Sequence, residues 1–546
     1  MGGLIISDQR AITVDDSNDG SAFGVMTIIN DGTIRGNNGE AISIVGTFGD
    51  TVTNTGGIFG SIATDGGNDT LTNSGSIIGD VSMGAGDDSI NLATASIVTG
   101  TIDGGDGVDT LVLSGSGSGS LLGTVVNVEK LDVQSGVWRI KDASGYSDIQ
   151  VESGAAVVLE GSANGMVVAA GAAQLVFGLA SNSVISGNQY IQIGGSADGT
   201  TIEAGGDQDI LGGGIATNTT VDGGTQNVFG VAIQTTVANG GFQHVHNNAF
   251  NTIVNAGGEQ NVYIDGSATG STINAGGIQI DWGFTIITTI SGGGQYVFGS
   301  ASLTTINSGL QAVESGGTAS DTTIHGGTVV QTTISNGALQ SLHGNASITT
   351  VNAGSQQSVY ADGTATGTTI NAGGVQVDWG AASATIVNGG VQYVYGSAIG
   401  TTVLSGTQYV QAGGSADDTT IGSGALAFVH AGGTIDDVIF AGPNASLVLA
   451  QASAFTGTIS GWQDHDSLDL GDILFSDGLT SMAYAQNGDN TGGTLTVSDG
   501  THVATLHLLG QYSAADFALS SDGHGGTLIT DPAVAQQAQL APALHG

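Results

Sequence analysis

The sequence predicts an all-β solenoid, one coil per short repeat, with a β cap at its C-terminal end. Three observations predict it. Residues 261–283, NVYIDGSATGSTINAGGIQIDWG, recur almost unchanged as residues 358–380, SVYADGTATGTTINAGGVQVDWG, and the same offset carries Gln295-Tyr296-Val297-Phe298-Gly299 onto Gln392-Tyr393-Val394-Tyr395-Gly396. A shorter, nearly even period runs inside this one: Gln243, Gln260, Gln279, Gln295 and Gln311 each fall near the start of a Gly-Gly-x-Gln-type unit. Finally, 96 glycines against three prolines, with β-branched residues in step with the glycines, let each coil bury apolar surface on the next. Periods below twenty residues without a helical pattern mean one turn per repeat, and about eighteen residues per coil gives roughly thirty coils.

Charge narrows the partners. The 546 residues carry a net charge of −42, with 47 acids against five bases: Arg10, Arg35, Lys130, Arg139 and Lys141. No Lys or Arg follows Lys141, so no phosphate-binding surface can be built there, which excludes nucleic acid and anionic membrane. Forty of the acids are Asp, the turn former and hard-cation ligand. There is no cysteine, so stacking rather than disulfides must supply stability. No run of eighteen apolar residues exists, so no transmembrane helix is expected. The start, MGGLIISDQR, lacks a basic segment followed by an apolar one, so no ordinary secretory signal is expected either.

Residues 1–145 read as an N-terminal solenoid with short strands at 25–30, 41–45, 76–78 and 111–113. Asn54-Thr55-Gly56-Gly57-Ile58 and Asn73-Ser74-Gly75-Ser76-Ile77 lie one short period apart, and Asn stacked at equivalent turns can bond up and down the coils. Acidic turns follow: Gly66-Gly67-Asn68-Asp69-Thr70-Leu71, Gly84-Ala85-Gly86-Asp87-Asp88 and Gly104-Gly105-Asp106-Gly107-Val108-Asp109. Over residues ~65–113 these resemble the glycine-aspartate nonapeptides of repeats-in-toxin proteins. That resemblance implies calcium between successive turns, at Asp65, Asp69, Asp87, Asp88, Asp103, Asp106 and Asp109. Asp69, Asp88 and Asp109 are each separated by a whole coil period, one motif per coil where that family has two. Residues 146–182 are transitional coils with a strand expected at 157–159, and a further strand is expected before them at 125–133.

From 183 to 440 the repeat is cleanest: Gly-Gly-x-Gln-x-Val-aromatic-Gly, then Ala-x-x-Thr-Thr-Ile. These units resemble the passenger repeats of AIDA-type adhesin autotransporters. The resemblance implies a right-handed parallel β-helix on a bacterial surface, with adhesion or aggregation as its work, and it admits glycosylation of Ser and Thr. Nothing after residue 440 is long enough for a membrane barrel of a dozen strands, so no anchoring barrel is expected. Residues 441–531 drop the repeat, running from Phe455–Trp462 through Asp464, Asp466, Asp469 and Asp472 to strands at 494–497, 503–509 and 527–529. A cap over the last exposed coil edge is the structural expectation. Glycine-aspartate-rich chains of this kind also resemble type I secretion substrates, which implies a C-terminal export signal in the same segment. The tail 532–546 is expected to be loose.

Catalytic inventory is thin. Uronate lyases need cationic groups, and the repeats offer only His; hydrolases need two carboxylates in one groove, and Asp281 and Asp378 lie several coils apart. Asp417-Asp418 and Asp436-Asp437 are neighbouring acid pairs of the sort common at turns. His244 and His246 share a strand face without a matching third ligand. The more informative pattern is the third residue after each Gln: Phe229, His246, Tyr263, Trp282, Phe298, Glu314, His343, Tyr360, Trp379 and Tyr395. The second residue is mostly aliphatic, so alternation turns the aliphatic position inward and the aromatic one outward. Stacked coils then line up Phe229, Tyr263, Trp282, Phe298, Tyr360, Trp379 and Tyr395 as an external stripe, for sugar stacking, for a neighbouring copy, or simply to stabilise the sheet. Asp281 and Asp378 fall on the inward position, which suggests a local bulge. We expect a non-enzymatic, secreted bacterial cell-surface or matrix protein, either a self-assembling subunit or an adhesin, with calcium bridging. A carbohydrate-active enzyme on the same solenoid is the alternative.

Overall fold

A computed structural model describes residues 3–15, 22–121, 123–314, 317–334, 337, 339–463 and 465–531; the tail 532–546 and Asp464 lie outside them. Two compact units divide the chain, Met1–Thr285 and Ile286–Gly546. The regular structure is nearly all β, in stacked parallel coils forming a β-solenoid of about 24 turns. Among the described residues no helix is long and apolar enough to cross a membrane. The turns number fewer than thirty because N-terminal coils are long and the chain leaves the solenoid after Leu470. Thr27 and Thr51 stand one coil apart, a longer step than the one from Gln243 to Gln260 in the later repeats.

In the first unit, the early coils stack Thr27–Asn30 on Thr51–Asn54 and Thr70–Asn73, all parallel and in register. Asn30, Asn54 and Asn73 point inward and form the expected ladder: the Asn30 amide donates to the Asn54 carbonyl and the Asn54 amide to the Asn73 carbonyl, at 2.7 and 2.8 Å. The strand expected over 125–133 is broken into Val125–Val126 and Lys130–Val133, because Asn127 adopts a left-handed φ of 51°. Trp138 is buried, its indole N–H donating to the Ser135 carbonyl at 3.0 Å.

Later coils of this unit are three-sided. The coil through Gln260 runs Ile253–Val254, Glu259–Val262 and Ser267–Thr269, and the next repeats it as Thr272–Asn274 and Ile278–Asp281. Alternation turns Val254, Gln260, Val262 and Ala268 fully inward. A small Ala on one side and branched residues on the others set a narrow core. At the corner before each Gln strand, a Gly pair lets the backbone pass the coil below: a side chain on Gly277 would sit 2.4 Å from the Val254 carbonyl oxygen.

Gln is the interior residue whose role the repeat consensus does not announce. From Gln189 to Gln279 each side-chain amide donates to the Gln carbonyl of the coil below, starting from Gln174, at 2.6 or 2.7 Å. Hydroxyls across the core close several of the remaining acceptor sites: Thr235 on Gln226, Thr252 on Gln243 and Ser271 on Gln260. A buried amide without such partners would be strongly unfavourable, so the ladder fixes register as well as stability.

The second unit repeats this design, with Gln357 donating to Gln340 and Gln376 to Gln357 at 2.6 and 2.7 Å. Gln311 instead stands opposite Val329, so the amide ladder breaks there. The unit ends in the expected cap. Ser467–Leu470, the strand of the last coil, pairs antiparallel with Thr527–Thr530, and an antiparallel meander of Ser481–Gln486, Gly492–Ser498 and Val503–Leu509 folds beside it. Trp462 packs edge-on against Phe440 and tilted against Phe517 beneath this cover. Asp466 and Asp472 accept backbone N–H groups of Ala445 and Ala452, so these acids of the run anchor the junction.

Candidate functional site

The third residue after Gln lies at the corner where the Gln strand ends, outside the core. In the first unit Phe229, His246, Tyr263 and Trp282 stack one above another, with ring centroids 4.8, 4.2 and 5.6 Å apart and interplanar angles of 10°, 6° and 23°. In the second, His343, Tyr360, Trp379 and Tyr395 stack at 4.2, 5.6 and 5.7 Å with angles of 6°, 21° and 18°. Phe229, Trp282, Phe298, Tyr360, Trp379 and Tyr395 are each 37–44% exposed, and Tyr263 is half-buried. Because neighbouring rings lie face to face, their faces are covered along the stack and their edges meet solvent. Flat sugar stacking on each ring is therefore not the geometry these residues offer.

The two stacks share their polar detail. Nδ1 of His246 lies 3.3 Å from a carboxylate oxygen of Asp265, and Nδ1 of His343 lies 2.8 Å from one of Asp362. The His343 hydrogen bond holds the Asp362 carboxyl below its usual range. Each carboxylate fixes its ring with Nδ1 facing Asp and Nε2 turned away. His244, on the same strand as His246, is half-buried and 3.4 Å from the Tyr263 hydroxyl; burial, then His246, lowers its pKa. The histidine pair is thus divided between two ring contacts.

Asp281 and Asp378 immediately precede the two tryptophans in the chain, and no bulge turns them. Asp281 takes the register position of Val262, and Asp378 that of Val359 and Val394, in unbroken ladders. Both are fully buried. Thr285 donates to Asp281 at 2.8 Å and Gln392 donates to Asp378 at 2.8 Å, while the other oxygen of each has no hydrogen-bond partner. Burial pushes both carboxyls up to about 7.

The seven acids of the glycine-aspartate turns separate into two sets. Asp69, Asp88 and Asp109 form a buried column continuing Asp50, and each accepts the backbone N–H of the acid one coil before, at 2.6, 2.7 and 2.8 Å. Burial, opposed by that hydrogen bond, raises Asp88 to about 6. One oxygen each of Asp69, Asp88 and Asp109 lacks a hydrogen-bond partner, fewer than the six to eight oxygens calcium takes. Asp65, Asp87 and Asp106 are exposed and Asp103 half-buried; Asp87 accepts from the Val108 N–H and Asp103 from the Asn127 amide. Among the described residues, the acids whose carboxylates gather within 4.8 Å are Asp417, Asp418 and Asp437, on an exposed corner.

No family model matches the chain, and no curated protein matches it. It is similar to the crystal structure of the TibC-catalyzed hyper-glycosylated TibA55-350 fragment, at 35% identity over 51% of this chain and 99% of that one, with a TM-score of 0.26.

Proposed function

We propose that the chain is a non-enzymatic extracellular adhesin of a bacterial surface, and that the edge-exposed aromatic stacks are its contact surface. The duplication carries this reading. His246, Tyr263 and Trp282 in one unit and His343, Tyr360 and Trp379 in the other keep the same spacing, the same 4.2 and 5.6 Å stacking distances and the same Asp at the imidazole. The core is built from Gln, Val, Ala and Ile, so coil formation alone does not call for partly exposed rings at these corners. Exposed apolar stripes rimmed by polar groups favour contact with another surface. The catalytic alternative is weakened by the burial of Asp281 and Asp378, which cannot touch a substrate. Beads coated with the protein should adhere to target cells, and Trp282→Ser with Trp379→Ser should cut adhesion at least about tenfold. Unchanged adhesion refutes the assignment of the surface, and release of reducing ends from a polysaccharide panel refutes the non-enzymatic part.

Export through a C-terminal signal belongs to the same proposal, with the cap as its carrier. Calcium is proposed at the exposed carboxylates Asp65, Asp87 and Asp106 and at half-buried Asp103, since the inner column already gives one oxygen per Asp to a backbone N–H. A calcium-dependent rise in melting temperature, absent with magnesium, tests it. Self-association is a second reading, favoured by Leu4–Ser7 and Thr27–Asn30, which among the described residues each pair on one side and expose Leu4, Ile6 and Ile29. Electron microscopy with calcium and then chelator separates ordered arrays from single particles.

A further inference from the structure

We infer that each aromatic stack is a track for one neutral, extended, β-linked polysaccharide chain, held along the coil axis by ring edges rather than ring faces. The inference rests on the adhesin reading and names its ligand class. Three features of the stacks lead to it.

Ring orientation comes first. Angles of 6–23° and centroid separations of 4.2–5.7 Å leave no room for a sugar between rings within a stack. What faces solvent is a row of edges, one per coil. An aromatic edge carries the positive end of the ring quadrupole, so it suits sugar oxygens and repels cations. The hydroxyls of Tyr263, Tyr360 and Tyr395 and the imidazole atoms turned away from Asp265 and Asp362 add hydrogen-bonding groups at several coils of that row, the Tyr263 hydroxyl lying 3.4 Å from His244 Nδ1.

Period comes second. Parallel coils advance by about 4.8 Å, and an extended β-linked pyranose chain advances by close to the same distance per sugar. A polymer lying along the stack therefore meets about one ring edge per sugar across the rings of each stack. Compact, α-linked coils lose that match after one or two sugars.

Charge comes third and excludes the acidic glycans. No Lys or Arg follows Lys141, and the chain carries a net charge of −42. A uronate or sulfated polymer on either track would meet no fixed cation and the carboxylates of Asp265 or Asp362.

Affinity electrophoresis of the full chain tests the inference, with hydroxyethylcellulose as the neutral β-1,4 probe, pullulan as the α-linked one and alginate as the acidic one. Hydroxyethylcellulose should retard the protein and the other two should not. The triple variant Tyr263→Phe, Tyr360→Phe, Tyr395→Phe keeps every ring and removes only hydroxyls, so folding is preserved; it should bind about tenfold or more weakly. Equal retardation of the variant, or preference for pullulan or alginate, overturns the track. Adhesion of coated beads without retardation by hydroxyethylcellulose also overturns it and leaves the adhesin reading standing. Loss of both bead adhesion and retardation brings down the adhesin reading itself.

Discussion

Replacing Asp378 with Asn should stabilise the second unit at pH 8 and leave it nearly unchanged at pH 4. Asp378 replaces an inward valine, with one oxygen bonded to Gln392 and the other without a partner, and burial raises its carboxyl to about 7. The unfolded carboxyl titrates at 3.8, so the folded chain holds this proton more tightly. Stability from the protonated form is fully present below about pH 4 and is lost as pH rises through about 7. At pH 8 the buried charge costs at most 1.36 kcal/mol times the difference between 7 and 3.8, or roughly 4 kcal/mol. Asn keeps the acceptor for Gln392 and removes the charge, so a gain on the order of 2 kcal/mol is expected once relaxation around the site is allowed for. The net charge of −42 makes the whole chain pH-sensitive through self-repulsion, so the variant must be compared with the parent at each pH. Hydrogen exchange at Val375–Asp378 and Ile386–Val394 reads the site locally, which suits a solenoid that need not unfold in one step. A variant less protected than the parent at pH 8, or a gain of the same size at pH 4, would refute the reasoning.

Two further predictions follow from the same coils. Ile348 sits at a corner with φ of 57° and is exposed, where equivalent corners hold Asn218, Asn251 and Gly270; Ile348→Asn should raise stability by about 1 kcal/mol in thermal unfolding. Gln260→Ala removes the acceptor for Gln279 and Ser271 and the donor to Gln243; it should cost about 3 kcal/mol or more, and an unchanged midpoint in urea contradicts the amide ladder.

Much of the coil is legible because the repeat fixes it. The spacing of the Gln residues implies one turn per repeat, and Asn54 and Asn73 announce their own ladder. The interior role of Gln is equally available: Gln260 and Val262 are two positions apart, and alternation puts both on one face. The conspicuous aromatic position draws attention away from it. Asp281 and Asp378 mislead for a different reason. A charged residue at an inward position suggests a bulge, but a carboxyl that stays protonated fits a valine's place without breaking register. Face-to-face stacking of the rings depends on the coil advance and on rotamers set by neighbours, so the stripe can be read from spacing but its edge-out presentation cannot.

The most direct test of the contact surface uses the four tryptophans. Trp138 and Trp462 are buried, whereas Trp282 and Trp379 are 39% and 42% exposed on the stacks. Acrylamide should quench one accessible class of emission in the parent and none in Trp282→Phe with Trp379→Phe. Saturating hydroxyethylcellulose should shield that class in the parent. Accessible tryptophans that stay equally quenched while the polymer is bound would place the contact elsewhere and contradict the account.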